Sequence, residues 1–111
     1  KDAIVRQFHL RIYSLDSAEA LEQYATQNYP RHLESFPKHG IRPEGFFKLA
    51  DGADPKLYVL VSYDEGADGD AVSAGYMASP DLLADLEGFD PSHILNVDDI
   101  TLIPTPGSPL T

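Results

Sequence analysis

The residues best suited to chemistry lie close together near the start of the chain. His9, Arg11 and Tyr13 stand at alternate positions, and alternate residues of a β-strand point to the same face about 7 Å apart. A histidine can accept or deliver a proton near neutral pH, an arginine can hold a carboxylate or an oxyanion, and a tyrosine hydroxyl can orient a carbonyl. The spacing therefore predicts a row of polar side chains that can line a cleft.

A second set of polar residues follows in the next predicted element. Tyr24, Asn28 and His32 recur every four residues, which places them on one stripe of a helix. If this helix packs over the polar face of the strand, Tyr24 and His32 close the cleft from the other side. The candidate cleft residues are therefore His9, Arg11, Tyr13, Tyr24 and His32.

Each residue of the polar row also has a simpler structural explanation. Arg11 can pair with an acidic residue across the sheet or an interface, and His9 and Tyr13 can be polar groups with ordinary hydrogen-bond partners. For each residue alone, the structural role is the favoured interpretation. As a group they are the best candidate site in the sequence, with no catalytic role assigned to any one of them.

Metal and cofactor chemistry has little support in the sequence. The chain has no cysteine, and its four histidines do not have the spacing of metal ligands. We predict no metal and no cofactor. The alternative is that His9 and His32 face each other across the cleft and ligate a metal or haem iron. The acidic segment 64–70 has Gly75 where a calcium loop requires glutamate, so we interpret it as a helix start.

The strands are predicted from the alternation of apolar and polar residues. The first strand also carries Ile4 and Val5, and Pro104 ends the last strand because proline cannot donate to a ladder. The predicted strands cover residues 4–13, 41–49, 57–63 and a segment within 94–103.

The helices are predicted from apolar residues at helical spacing. One helix covers residues 17–38, with Asp16 and Glu19 as a capping box. Pro30 removes a backbone donor inside it, so we expect a kink or a break near Gln27. A weaker helix is expected over 65–77. Ser79 and Pro80 then open a further turn or two that ends at Leu86.

The element order β-α-β-β-α-β predicts an α+β, ferredoxin-like fold. Residues 1–111 then form a single domain, in which an antiparallel four-stranded sheet carries two helices on one face. The third predicted strand is apolar on both sides, so both faces of the sheet should be covered. A second copy of the chain is the simplest cover for the face without helices.

The charge of the chain bears on its partners. Its 18 acidic and 8 basic residues give a formal net charge of −10, which repels phosphate backbones and anionic lipids. We therefore expect no nucleic-acid partner. No apolar run is long enough for membrane insertion or for a signal peptide, and the absence of cysteine fits a cytoplasmic location.

Three stretches of the sequence resemble the NIPSNAP family. They are residues 8–13 (FHLRIY), 39–47 (HGIRPEGFF) and 103–110 (IPTPGSPL). The family usually has Glu-Leu-Arg-x-Tyr in its first strand, whereas this chain has His9 in place of the glutamate. The resemblance implies a dimeric α/β barrel, in which two sheets face each other and the helices lie outside.

The resemblance does not imply a settled activity, because the superfamily includes cofactor-independent monooxygenases, haem-degrading enzymes and proteins of no known reaction. Our first hypothesis is a homodimer that binds a small organic molecule between sheet and helices, with monooxygenase-like chemistry as one version. The alternative is a non-catalytic scaffolding dimer, for which the proline-rich tail 104–109 would be a binding segment.

Overall fold

In a computed structural model, which describes residues 6–111, the chain forms a four-stranded antiparallel sheet with helices packed on one face. The strands are β1 (Phe8–Leu15), β2 (Ile41–Lys48), β3 (Lys56–Tyr63) and β4 (Ile94–Leu102), in the order β2-β3-β1-β4. The helices are α1 (Ala18–Gln23), α2 (His32–Lys38), α3 (Gly69–Met77) and α4 (Pro80–Asp85). The predicted α+β, ferredoxin-like fold is confirmed. No helix in the described part of the chain is long and apolar enough to cross a membrane.

Strand β1 places the polar row on the face of the sheet that the helices cover. His9 and Arg11 are buried there, and Tyr13 packs against the core. The strand begins at Phe8. The residues Ile4 and Val5 of the predicted first strand lie outside the described residues.

The predicted helix over 17–38 is divided into α1 and α2 by two irregular turns. A π-helical turn, Tyr24–Asn28, is followed by a 3-10 turn, Tyr29–Arg31. Pro30 lacks the N–H that would continue an α-helical ladder, and the predicted break near Gln27 is confirmed. These turns carry Tyr24 and lead directly into His32, the first residue of α2.

The start of α1 differs from the prediction. The backbone of Ser17 is extended, and its hydroxyl accepts a hydrogen bond from the Ala20 N–H at 3.0 Å. The predicted capping box of Asp16 and Glu19 is therefore wrong. Asp16 instead bonds His93, with 2.8 Å between Oδ2 and Nδ1, and joins the start of α1 to the turn before β4.

The helix predicted over residues 65–77 begins later in the structure than in the prediction. Asp68 caps α3 by accepting a hydrogen bond from the Asp70 N–H at 3.0 Å, so the predicted start at Glu65 is wrong. Helix α4 begins at Pro80 after Ser79, as predicted. The Ser79 hydroxyl, however, donates to the carbonyl of Tyr76 at 2.6 Å and does not cap α4.

The core lies between the helices and the inner face of the sheet. Its fully buried side chains include Tyr29, Phe36, Ile41, Val59, Val61 and Tyr63.

The opposite, outer face of the sheet is only partly covered. Leu10 lies between Leu60 on β3 and Ile100 on β4, and Ile100 is 44% exposed. The C-terminal tail folds back over one end of this face, where Leu110 borders a groove of about 310 Å³. The described single chain therefore does not provide the cover that the sequence predicts for both faces.

Candidate functional site

A cavity of about 480 Å³ lies between the inner face of the sheet and the helices. On its β4 side the wall residues Val97 and Asp99 are exposed. Strand β4 is an edge strand, and most of its residues are exposed. Its wall is predominantly apolar and includes Phe36, Met77, Leu82, Leu86, Ile94 and Val97. The polar side chains in the wall are Arg11, Tyr13, Tyr24, His32, Ser73, Tyr76 and Asp99.

Four of the five candidate residues named from the sequence line this cavity. They are Arg11 and Tyr13 from β1, Tyr24 from the π-helical turn, and His32 from α2. His9 does not line it: its residue surface is 1% exposed, and its Nε2 lies 3.3 Å from the Thr101 hydroxyl. Its ring packs edge-on against Tyr63. His9 therefore lies on the predicted face of β1, two residues before Arg11, but outside the cavity wall.

The Arg11 guanidinium is fixed along one edge and free along the other. Its Nη2 donates to the hydroxyls of Tyr63, at 2.9 Å, and Ser73, at 2.5 Å. Its Nε lies 3.5 Å from Asp99, which is its register partner on β4. Within residues 6–111, Nη1 makes no hydrogen bond, so its two N–H groups can be offered to a ligand in the cavity.

Arg11 keeps its positive charge despite its burial. Burial opposes the charged form, but the neighbouring hydroxyl of Tyr13 and other tyrosines, together with Asp99, raise the pKa of Arg11 above its ordinary value. The ion pair with an acidic residue that the sequence suggested as a structural role is thus present. A ligand oxygen at Nη1 would meet a cation already held in place.

His32 belongs to a buried hydrogen-bond cluster around Asp85. The Asp85 Oδ2 atom lies 2.9 Å from His32 Nδ1, and it accepts hydrogen bonds from Tyr76, at 2.6 Å, and Ser35, at 2.5 Å. Burial lowers the pKa of His32 to about 4, although Asp85 favours the protonated form. His32 is therefore neutral at pH 7, with its single ring proton on Nδ1.

The position of Asp85 is set by side chains from the irregular turns. Asn28 donates to the backbone carbonyls of Asp85, at 3.1 Å, and Glu87, at 3.0 Å. Arg31 donates to the carbonyls of Ala84, Asp85 and Glu87. These donors satisfy the free carbonyls at the C-terminal end of α4. Asn28 thus faces α4, while Tyr24 and His32 from the same predicted stripe face the cavity.

Tyr13 and Tyr24 place aromatic rings in the cavity wall, whereas Tyr29 is fully buried, and the three rings are inclined to one another by 59° to 79°. The Tyr13 and Tyr29 hydroxyls are 3.2 Å apart, and the ring of Tyr24 packs against both of these rings. Burial raises the pKa of Tyr24 and of Tyr29, so both stay protonated at neutral pH. Such rings suit a planar organic ligand better than a charged one.

Four polar residues of the site were not predicted from the sequence, namely Ser73, Tyr76, Asp85 and Asp99. Their partners are distant in sequence: Asp85 meets a histidine that is 53 positions away. Asp99 could have been found, because an antiparallel pairing of the first and last strands brings it opposite Arg11. Nothing in local spacing marks the others.

One group of possible metal ligands occurs within the described residues. His9, Asp70 and Asp99 each offer one atom, and these atoms lie within 4.8 Å of one another. Asp99 is also 3.5 Å from Arg11, whose positive charge opposes a cation at this point. The suggested His9 and His32 pair is not formed as a shared site, because His9 contacts Thr101 whereas His32 bonds Asp85.

The fold and the cavity define a ferredoxin-like α+β protein with a cleft between its sheet and its helices. The NIPSNAP family profile matches residues 8–109, and the chain belongs to the NIPSNAP family. No curated protein matches this sequence.

Solved structures share the fold over nearly the whole chain. An uncharacterised NIPSNAP-like domain protein from Burkholderia xenovorans is 20% identical, with a TM-score of 0.71 over 96% of this chain and 91% of that one. A NIPSNAP family protein of unknown function from Agrobacterium tumefaciens is 19% identical, with a TM-score of 0.72 over 99% and 97%. A Nitrosomonas europaea protein with the provisional name of antibiotic biosynthesis monooxygenase is 12% identical, with a TM-score of 0.61 over 100% and 99%.

Proposed function

We propose that this protein is a homodimer that binds a small, flat and mainly apolar organic molecule in the cleft between sheet and helices. The observation that carries the proposal is the cavity of about 480 Å³, which combines an apolar wall with an Arg11 Nη1 group that makes no hydrogen bond within residues 6–111. Cavities of roughly 300–1,000 Å³ with a few fixed polar groups are typical of small-molecule sites. The ligand would place one carbonyl or carboxylate oxygen at Arg11.

The charge of the protein limits the ligand further. Arg11 is already partly neutralised by Asp99, and the chain carries a formal net charge of −10. A ligand with several negative charges would be repelled by this field. A neutral carbonyl compound or a single aromatic carboxylate fits the site best.

The proposed homodimer is supported by the outer face of the sheet. Leu10, Leu60 and Ile100 form an apolar row across three strands, and nothing in the described chain covers it fully. A second copy brings an identical apolar row to this face, as an isologous interface requires. The sheets of the two subunits would then face each other, with both clefts on the helix side.

An oxygenase-like reaction is a second candidate, and the fold shared with the Nitrosomonas europaea protein is the observation behind it. In such a reaction the substrate loses a proton and supplies electrons to dioxygen, while Arg11 stabilises the anion. Burial lowers the pKa of His32 to about 4, whereas a phenol has a pKa of about 10. This difference opposes proton transfer to His32 by on the order of 8 kcal/mol. We therefore place binding ahead of oxygenation.

The test is calorimetric titration with 2-naphthoate and its neutral amide, 2-naphthamide. We expect both to bind with a Kd near or below about 1 mM, as the size of the probe suggests. Replacing Val97, which lines the cavity and is 45% exposed, with tryptophan should abolish binding without touching the Arg11 network. Leu95→Trp, at a more exposed position on the same strand, is the matched control and should bind normally.

The role of Arg11 is tested in the same titration. Arg11→Met should weaken 2-naphthoate by roughly tenfold or more, because a charged hydrogen-bond donor is lost. Arg11→Lys should recover part of that loss. If neither probe binds the wild-type protein at 5 mM, roughly five times the expected Kd, or if Val97→Trp binds as well as the wild type, the cleft is not a ligand site and the scaffolding alternative is favoured.

A further inference from the structure

We propose that His32 is a fixed hydrogen-bond acceptor in the cleft, and that the ligand is a planar hydroxy acid or hydroxy ketone. Its hydroxyl donates to His32 Nε2, and its carboxylate or carbonyl oxygen accepts from Arg11. This inference rests on the proposed function and defines the class of ligand that the site selects.

Asp85 determines the tautomer of His32. Asp85 Oδ2 lies 2.9 Å from His32 Nδ1, and it also accepts hydrogen bonds from Ser35 and Tyr76. A carboxylate that faces a ring nitrogen at this distance requires a proton on that nitrogen. The Nε2 atom therefore carries a lone pair and can only accept.

Neighbouring aromatic rings hold the His32 ring in one orientation. His32 stacks on Phe36 with 4.1 Å between ring centroids and an angle of 12°, and the edge contact with Tyr29 has a centroid distance of 4.3 Å. Turning the ring over would replace the Asp85 contact by a carbon atom and leave the carboxylate with one bond fewer. The packing and the hydrogen bond therefore hold Nε2 in one direction.

The Nε2 atom of His32 is available to a ligand. Among residues 6–111, no group donates a hydrogen bond to Nε2. Nε2 is not one of the fully buried atoms that lack a partner, so it keeps some exposed surface. His32 is also part of the cavity wall. An acceptor that borders the cavity without a partner is suited to a donor group on the ligand.

The charges around His32 favour a neutral donor group on the ligand. Arg11 lines the same cavity, and its positive charge disfavours a second cation near His32. Asp85, directly behind the ring, disfavours an anion there. Because Tyr76 also packs edge-on against this ring, the surroundings are predominantly apolar. A neutral hydroxyl satisfies all of these conditions, and an ammonium or a second carboxylate does not.

The experiment compares naphthoates that differ at one group. The probes are 2-naphthoate, its 6-hydroxy and 7-hydroxy derivatives, and the two matching methoxy compounds, which cannot donate. In the wild-type protein, at least one hydroxy compound should bind roughly tenfold more tightly than its methoxy partner. The methoxy compound cannot donate to His32 Nε2, so this acceptor stays unpaired in its complex. In His32→Phe the ratio of the hydroxy to the methoxy affinity should fall to about one. The ratio is taken within the variant, so it does not depend on how the substitution changes the affinity for 2-naphthoate.

A second variant tests the tautomer directly. In Asp85→Asn the side-chain amide can donate to Nδ1, which moves the ring proton to Nε2. Hydroxyl and methoxy oxygens can both accept from an Nε2–H group, so the preference for the hydroxy compound should disappear in this variant. Nitrogen NMR of the histidine rings reads the tautomer without any ligand, and the wild-type protein should show Nδ1 protonated and Nε2 bare.

The outcomes separate the two proposals. Equal binding of hydroxy and methoxy compounds, with 2-naphthoate bound, overturns this inference and leaves the proposed function standing. A protonated Nε2 in the wild-type protein also overturns it, whatever binds. If none of the probes binds, the proposed function fails and the inference fails with it.

Discussion

The four histidines show how neighbours decide the role of a single residue type. His9 lies against Thr101, His32 bonds Asp85 in the cavity wall, His39 bonds an aspartate on α4 at 2.9 Å, and His93 is bonded at the surface. Sequence spacing alone places both His9 and His32 at the cleft. Only the three-dimensional structure separates them, because every one of these partners is more than 40 positions away.

We predict that the contribution of His32 to the free energy of unfolding is sensitive to acid. Burial lowers its pKa from 6.5 to about 4 in the folded protein. Between these values the unfolded chain binds a proton that the folded chain does not, so the free energy of unfolding falls as the pH falls through this window. Urea unfolding at pH 7 and pH 4 should show that the wild type loses about 3 kcal/mol more than His32→Gln.

His93 provides the control with the opposite sign. Its hydrogen bond to Asp16 raises the pKa of His93, so this pair stabilises the folded state below pH 6.5 and the contribution is lost as the pH rises through the raised pKa. The difference between the wild type and His93→Gln should therefore grow toward acid pH. An unchanged acid sensitivity in His32→Gln would contradict the buried, neutral state assigned to His32.

The strands and helices were predictable where the chain follows a regular period. The alternation of β1 and the apolar run of β3 located both strands, and Pro30 located the break between α1 and α2. The start of α3 was missed, because it depends on the Asp68 cap and on close packing at Gly69, neither of which appears in hydrophobic spacing.

Gly69 and Gly75 form a matched pair within α3. A Cβ at Gly69 would lie 2.7 Å from the Tyr63 ring and 2.8 Å from His9 Nε2, whereas a Cβ at Gly75 would meet nothing within 4 Å. Gly69→Ala should therefore destabilise the fold by about 1–3 kcal/mol through overpacking. Gly75→Ala should stabilise it by about 0.5–1 kcal/mol, since glycine is a poor helix former. Urea unfolding followed by circular dichroism measures both, and the same sign for the two variants would refute this packing of α3 on β1 and β3.

For the whole molecule, the sequence indicated a sheet with apolar residues on both faces. The structure shows which residues form the outer face, opposite the helices. The row formed by Leu10, Leu60 and Ile100 could be located only after the strand order and register were known. The cavity could not be predicted as a volume, because it depends on how far the helices extend toward β4. Four of its wall residues were nonetheless recognisable from their spacing.

The proposed dimer can be tested with a matched pair of substitutions. Ile100→Asp places a charge in the middle of the outer face, where Ile100 is 44% exposed, and should convert the dimer to a monomer. Leu83→Asp makes a similar change on α4, where the side chain is 74% exposed, and should leave the dimer intact. Light scattering after size-exclusion chromatography gives both masses.

The most direct measurement is native mass spectrometry of the wild-type protein with 2-naphthoate, because it counts subunits and ligands in the same particle. We expect a dimer that carries two naphthoates, and a clear loss of ligand in Val97→Trp, in which the cavity is blocked. A dimer without ligand, or a monomer without ligand, at probe concentrations well above about 1 mM would contradict the claim that the cleft binds a small organic molecule.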